Sequence, residues 1–117
     1  MEEKKIVYLA IPYTWNPDES FKIANKVTAE LMKNGYIVFS PVTHSHPVSD
    51  YLHPYLKTNQ DFWMKQDLPI LNLCKKVFFV VIGDDGMRLI DESEGCQSEK
   101  QEALKNNIEI EFIKYNF

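Results

Sequence analysis

Two carboxylates lie at otherwise apolar positions of predicted helices, where they could support catalysis. Glu99 lies one helical turn from Cys96 and one turn from Ala103, which with Leu104 form the inward arc of its helix. A carboxylate next to this arc would be partly buried, and its pKa could be tuned by its surroundings. The alternative is a surface carboxylate on a generally polar helix, and the periodicity alone does not decide between the two.

Asp67 lies inside an apolar helical segment, two residues before Pro69, which should kink this helix or divide it in two. It could cap a new helical piece, because proline is tolerated in the first turn of a helix. It could also act with Glu99, since two carboxylates flanking a sugar carbon are what glycosidic-bond cleavage requires. The two interpretations are compatible, because a capping side chain can also face a ligand.

The helix that carries Glu99 begins at Ser93-Glu94-Gly95, a segment suited to binding a ligand. Ser93 is a favourable N-cap, and Gly95 in the first turn would let a ligand approach the backbone closely. Free N–H groups at a helix start favour a phosphate or a 5′-oxygen. An ordinary helix cap is the alternative.

Residues 40–57 form a long polar and aromatic connection that holds all three histidines. Within it, His44 and His46 lie on the same side of a segment that we predict to be extended. Together with His53 and Asp50 they could bind zinc in a metal hydrolase. Because no Cys pair, HExxH motif or second HxH accompanies them, we predict no metal and expect the histidines to line a sugar or base pocket.

Three aromatic residues, Tyr13, Trp15 and Trp63, could stack on a nucleobase, although such residues more often serve in packing. The chain has no GxGxxG, Walker, GxSxG or CxxC motif. Dinucleotide oxidoreduction, phosphoryl transfer on a P-loop and hydrolysis by a serine triad therefore have no support in the sequence.

Strands that alternate with helices are predicted to position these residues. The first helix begins at Asn16-Pro17 and ends at Asn34-Gly35. The alternation predicts a parallel sheet covered on both faces, and ligands in such folds bind beyond the carboxyl ends of the strands. The loops that follow the first three strands hold the unusual residues. The predicted strands are 5–10, 36–39, 77–82 and 108–113, and the later helices are 58–74 and 93–106.

The composition fits one globular domain spanning residues 1–117, with 44% hydrophobic and 26% charged residues. The net charge is −4 and Lys and Arg are scattered, so a nucleic acid polymer is not an expected partner. Cys74 and Cys96 are too few for a disulfide framework and indicate a reducing compartment. The longest apolar run is Val77 to Ile82 and Met1–Lys5 does not begin a signal peptide, so we expect a cytoplasmic protein without membrane contact.

Four segments, taken in order, form a pattern that covers about residues 6 to 113. They are YLAIPY at 8–13, VFSPVTHSHP at 38–47, DFW at 61–63 followed by DL at 67–68, and S-x-G-x-x-x-E-x-x-x-A at 93–103. Together they resemble the nucleoside 2-deoxyribosyltransferase-like superfamily, and most closely its small bacterial and phage branch that carries SP-hydrophobic-THSHP. The second and fourth segments in combination are the specific part of the pattern.

The resemblance implies a flavodoxin-like or Rossmann-like three-layer α/β sandwich, in which a parallel sheet of four to five strands has helices on both faces. It implies cleavage or transfer at the N-glycosidic bond of a nucleoside or nucleoside 5′-monophosphate, with no cofactor. Glu99 matches the nucleophile that forms a covalent glycosyl-enzyme, and Asp67 matches the residue that assists the departing base. Superfamily members commonly assemble so that a neighbour closes the pocket, and we therefore expect a homo-oligomer.

The resemblance also places further residues against the substrate. The first loop would lie along the nucleoside, and the segment beginning at Ser93 would meet the 5′ end of the sugar. With the histidines and the aromatic residue named above, the expected substrate-binding residues are Ala10, Tyr13, His44, His46, Trp63, Ser93 and Gly95.

The chain departs from the superfamily pattern in the loops that border the expected site. Ile11 stands where a Gly is common, and the predicted loop 83–92 lacks the usual Gly-Trp. In that loop, Asp84 and Asp85 would repel a phosphate if they pointed inward, whereas Arg88 would attract one. The alternative function is therefore a catalytically silent domain that binds a nucleotide or an ADP-ribose-like ligand.

Overall fold

A parallel sheet runs through the centre of the fold. In a computed structural model that describes residues 6–117, its strands are β1 (Ile6–Ala10), β2 (Ile37–Phe39), β3 (Lys76–Ile82) and β4 (Glu109–Tyr115). They lie in the order β2-β1-β3-β4, and each neighbouring pair is parallel. Tyr8 in β1 is aligned with Phe39 in β2 and with Val77 in β3. Lys5, the predicted first residue of the first strand, lies outside the described residues.

Helices cover both faces of this sheet. They are α1 (Pro17–Lys33), α2 (Pro41–Ser49), α3 (Pro54–Lys57), α4 (Gln60–Leu71), α5 (Gly86–Glu92) and α6 (Glu94–Lys105). One face packs against α1, and the other packs against α4, α5 and α6. No helix within residues 6–117 has the length and apolarity needed to cross a membrane.

The central strands bury side chains on both of their faces, as expected for a parallel sheet between two helical layers. In β1, Val7 and Leu9 pack with the α1 residue Ile23, whereas Tyr8 and Ala10 point to the opposite layer. Each of these five residues is at most 1% exposed. The predicted fold class, a three-layer α/β sandwich around a parallel sheet, is therefore confirmed.

The start and the end of α1 follow local rules that are visible in the sequence. The Asn16 side chain accepts a hydrogen bond from the Glu19 N–H (3.2 Å), and Pro17 occupies the first helical position. After the helix, Gly35 adopts a positive φ of 91°, a conformation that glycine tolerates without strain. The predicted boundaries of this helix are confirmed.

Residues 40–57 contain two helices where a long connection is predicted, with an extended segment at His44 and His46. Ser40 is the N-cap of α2 and Pro41 occupies its first turn, so the histidines His44 and His46 lie on a helix. α3 is capped by the ring of His53. Ser40-Pro41 repeats the polar-cap-and-proline start of α1, and this is the signal that the prediction overlooked.

One interpretation of Asp67 is excluded, and two other local predictions are wrong. Asp67 lies in the interior of α4, whose N-cap is Asn59, so Asp67 does not cap a new helical piece and Pro69 does not divide the helix. The predicted loop 83–92 contains α5. Leu104, which the helical wheel places inward, is 62% exposed, because the buried stripe of α6 is only Cys96, Glu99 and Ala103.

The edge strand β4 is held to the sheet partly by charged side chains. Lys76, at the start of β3, is aligned with Glu109, and its Nζ contacts Glu109 (2.9 Å) and Glu111 (3.3 Å). The same Nζ lies 5.1 Å from the ring centroid of Phe78. The N-terminal half of β4 therefore presents carboxylates that a lysine of the neighbouring strand partly neutralises.

Gly86 begins α5 directly against β3, and a larger residue has no room there. A Cβ would lie 2.5 Å from Cγ1 and 2.6 Å from the carbonyl carbon of Val81. We expect Gly86→Ala to lower the free energy of unfolding by about 1–3 kcal/mol, because overpacking forces the backbone to shift. Urea denaturation measures this difference. Gly95→Ala is the matched control, since the atom nearest to its Cβ would be the flexible end of Gln60 at 3.2 Å, and equal losses in both variants would contradict the explanation.

Candidate active site

A cavity of about 700 Å³ opens where the chain leaves β1 and β2. Its wall includes Ile11 after β1 and Pro41 after β2, together with side chains of α4 and the start of α6. This is the end of a parallel sheet at which α/β folds bind ligands. The predicted site residues that lie in this wall are Tyr13, His46, Trp63, Asp67, Ser93, Gly95 and Glu99.

Two of the predicted substrate-binding residues are not brought into this wall. Ala10 is 1% exposed and packs in the apolar cluster beneath α4 and α6. His44 is exposed on α2, where its Nδ1 lies 3.3 Å from Oγ of the neighbouring Ser45. The prediction for His44 assumed an extended segment, whereas in a helix His44 and His46 point in different directions.

Glu99 is buried at the boundary between the cavity and the core. Its side chain projects from α6 toward the centre of the sheet, where the hydroxyl of Tyr8 donates a hydrogen bond to its Oε2. Glu99 is 5% exposed and Tyr8 is 0% exposed. The structure therefore supports the interpretation of Glu99 as an inward carboxylate and not as a surface one.

Burial changes the acidity of this pair. It raises the pKa of Glu99 from its usual 4.5 to about 8, an effect that the Tyr8 hydrogen bond opposes and the nearby charge of Asp67 reinforces. Burial, and then the charge of Glu99, raises the pKa of Tyr8 well above its usual value. Tyr8 therefore stays a hydrogen-bond donor, and in the free protein Glu99 is mostly protonated at neutral pH.

Asp67 is a second buried carboxylate in the cavity wall. It is 6% exposed, and burial raises its pKa from 3.8 to about 6. Within residues 6–117 its side chain has no hydrogen-bond or salt-bridge partner, and Thr28 Oγ1 is the one side-chain polar atom that is fully enclosed without a partner. The Asp67 oxygens are therefore not enclosed in the protein interior, and they face the cavity that this residue lines.

Tyr13 is fixed against the cavity by a chain of polar contacts that sequence reasoning missed. Its hydroxyl lies 2.6 Å from Nδ1 of His46, and Nε2 of His46 lies 3.2 Å from Oδ1 of Asp18. The His46 ring stacks on Phe21 of α1 at a centroid distance of 4.5 Å. Because a carboxylate only accepts hydrogen bonds, Asp18 favours a proton on Nε2, and Nδ1 then accepts from Tyr13.

The start of α6 is capped by one of its own side chains. Ser93 Oγ accepts a hydrogen bond from the Cys96 N–H (3.1 Å), so this hydroxyl serves as the helix cap. Arg88 binds Glu92 (2.9 Å) and Asp85 (3.4 Å) and does not line the cavity. The cation that could attract a phosphate is therefore engaged elsewhere on α5.

The histidines do not converge. His46 contacts Tyr13, and the Nδ1 of His53 accepts a hydrogen bond from the Tyr55 N–H (3.1 Å) at the start of α3. In the part of the chain that the structure describes, no three or more His, Cys, Asp or Glu side chains are placed to hold one metal ion.

Glu99→Gln tests the effect of the buried carboxyl group on stability. Because the pKa of about 8 lies above the usual 4.5, the folded protein holds a proton that the unfolded chain releases between these pH values. The stability of the wild type should therefore fall as pH rises from about 4.5 to about 8, by roughly 2–4 kcal/mol, and the variant should lack this component. Denaturation at about pH 5 and about pH 8.5 measures it.

Glu102→Gln, one turn further along α6 and outside the main cavity, is the control. It should keep the pH dependence of the wild type. If Glu99→Gln also kept it, the Glu99 carboxyl group would not be the source.

The sequence matches a known protein family. Residues 5–114 match the family described as a domain of unknown function, DUF1937. Comparison with curated proteins gives no match. Because the family match covers nearly the whole chain, this protein belongs to the DUF1937 family.

Proposed function

We propose that this protein cleaves the N-glycosidic bond of a nucleoside or nucleotide, or transfers the sugar to another base, through a covalent bond to Glu99. The observation that carries the proposal is a pair of buried carboxyl groups, Glu99 and Asp67, in the wall of one cavity. They are close enough for Asp67 to raise the pKa of Glu99. Two carboxyl groups around one sugar carbon are the minimum that a retaining mechanism needs.

In the first step, an ionised oxygen of Glu99 attacks the anomeric carbon, and the electrons of the C1′–N bond pass to the departing base. Asp67 in its protonated form gives a proton to that base. In the second step, water or a second base attacks the glycosyl ester, Asp67 takes up a proton, and the Glu99 carboxylate is restored. The intermediate divides one difficult substitution into two easier ones.

Tyr8 has a positioning role in this proposal. Its hydroxyl holds one carboxyl oxygen of Glu99, which leaves the other oxygen to react. A phenol that donates a hydrogen bond stabilises the ionised carboxyl group more than the neutral one, so it supports the nucleophilic form. The indole N–H of Trp63 donates to the Lys57 carbonyl (2.8 Å), which leaves the Trp63 ring available for stacking on a base.

A catalytically silent ligand-binding domain is the second candidate, and the pKa of Glu99 favours it. A carboxyl group with a pKa of about 8 is mostly neutral at pH 7, and a neutral carboxyl group is a poor nucleophile. Such a domain would bind a nucleotide or an ADP-ribose-like ligand without releasing its base.

We also propose that the protein acts in the cytoplasm as a homo-oligomer. Cys74 and Cys96 are both free and buried, which fits a reducing compartment. Tyr51 and Tyr55, between α2 and α4, are 91% and 70% exposed and could form part of a subunit interface. Sedimentation velocity of the wild type and of a Tyr51→Ser/Tyr55→Ser variant tests this. We expect the wild type to sediment as an oligomer and the variant to shift toward monomer. A monomeric wild type would contradict the proposal.

Base release from nucleosides and their 5′-monophosphates, with and without a second free base, tests the catalytic proposal. The wild type should release or exchange a base. Glu99→Gln should lose activity by at least about 10³-fold, because the covalent step is removed, and Asp67→Asn by about 10²–10⁴-fold, because the proton donor is removed. Chromatography of the free base measures both.

Glu102→Gln is the matched control, because it removes a carboxylate from the same helix outside the site, and it should retain wild-type activity. Equal activity of the wild type and Glu99→Gln on every substrate would overturn the catalytic assignment. Tight nucleotide binding without base release would favour the silent domain.

A further inference from the structure

The cavity wall holds more acidic than basic side chains. The side chains in it that can be cationic are Lys57 and His46. His46 contacts Asp18, and Glu92 is bound by Arg88 from outside the wall. The carboxylates in the wall are Asp18, Asp50, Asp67, Glu92, Glu94 and Glu99. After the paired groups are set aside, four carboxyl groups face one lysine.

The two buried carboxyl groups of this wall, Asp67 and Glu99, have no cationic partner among the described residues. Asp67 is 94% buried and has no hydrogen-bond or salt-bridge partner within residues 6–117. Glu99 is 95% buried, and Tyr8 is the one group that donates a hydrogen bond to its side chain among the described residues. Buried carboxylates are normally paired with a cation or with several donors. A positively charged group placed between Asp67 and Glu99 would supply the missing partner.

The chemistry of the wall favours an organic cation. A metal ion fits poorly, because no three acidic or His/Cys side chains in residues 6–117 are placed to hold one. The rings of Tyr13 and Trp63 line the same cavity, and their polar groups already have partners in His46 and the Lys57 carbonyl. Aromatic faces attract delocalised cations.

The same wall is unfavourable for a phosphate. Glu92 and Glu94 flank Ser93 at the start of α6, and the Ser93 hydroxyl already accepts the capping hydrogen bond of this helix. A carboxylate in the first turn offsets the positive end of the helix that a phosphate would need. Lys57 is the single lysine or arginine in the wall, where acidic side chains outnumber it.

We propose that the preferred ligands of this cavity are unphosphorylated nucleosides whose base carries a positive charge, such as N-alkylated purine or pyridinium nucleosides. This inference rests on the proposed function and names its substrate class. In this proposal the base contacts the Tyr13 and Trp63 rings that line the cavity, and its charge is next to Asp67.

A cationic base would supply the positive charge that the buried carboxyl groups of Glu99 and Asp67 lack. Its charge lowers the pKa of Glu99, so that Glu99 releases its proton to solvent and becomes a nucleophile. When the Glu99 oxygen bonds to C1′, the C1′–N electron pair returns to the ring nitrogen, and the base leaves as a neutral molecule. This departure needs no proton from Asp67, which can stay ionised. Water then splits the ester into the free sugar, the Glu99 carboxylate and one proton.

Binding of two isomers separates charge from size. 1-Methyladenosine is cationic at neutral pH, and N6-methyladenosine has the same methyl group on a neutral base. Calorimetry with Glu99→Gln, which prevents turnover, should show the cationic isomer binding at least about tenfold more tightly. Glu99→Gln/Asp67→Asn should lose this preference, and Glu99→Gln/Glu102→Gln should keep it. Both 2′-hydroxyl and 2′-deoxy forms are measured, and adenosine should bind more tightly than its 5′-monophosphate.

The outcomes distinguish the inference from the function on which it rests. Equal binding of the two isomers, or tighter binding of the 5′-monophosphate, overturns the inference, even if the wild type cleaves neutral nucleosides in a Glu99-dependent reaction. A preference for the cation that depends on Asp67 supports it. If that preference is found but the wild type cleaves no nucleoside, the ligand class stands and the catalytic proposal fails.

Discussion

The hydrogen bond between Tyr8 and Glu99 is the constraint on which the rest of the structure depends. Tyr8 lies in β1, which has a strand on each side, and Glu99 reaches it from α6, 91 residues later in the chain. A carboxyl group at this depth would be strongly destabilising without a partner. The buried neighbours of Glu99 on α6 are Cys96 and Ala103, whose small side chains let the helix lie close to the sheet. The burial that raises the pKa of Glu99 is thus a consequence of how the sheet and α6 pack.

Another part of the cavity wall is built from α2 and the residues that begin α1. α2 brings His46 against Phe21 of α1, and the ring of His46 then holds the Tyr13 hydroxyl. A loop in the same place would leave Tyr13 free to adopt several orientations. The aromatic wall is therefore organised before a ligand arrives, which reduces the entropy lost on binding.

Helix-capping signals made much of the fold predictable from the sequence. The errors arise where such a signal was overlooked or where a contact joins distant segments. Asn16-Pro17 and Ser93 mark helix starts that the structure confirms, whereas helical spacing leaves an inward and a surface position of Glu99 equally open. Ser40-Pro41 has the same form as Asn16-Pro17, but the pair of histidines that follows suggested an extended segment. The contact of His46 with Asp18 joins two helices, and no spacing within one segment reveals it. The sequence predicts that Tyr8 lies in a buried strand, but its hydrogen bond to Glu99 depends on how α6 packs over the sheet.

The charged start of β4 also bears on how molecules of this protein meet one another. An edge strand exposes backbone groups to which a strand from another molecule can add. Glu109 and Glu111 lie on this strand, and the single lysine Lys76 contacts both of them. A second copy approaching in register would bring like charges together before any backbone hydrogen bond could form. Strand addition at the β4 edge of the sheet is thus disfavoured by carboxylates that have no part in the cavity.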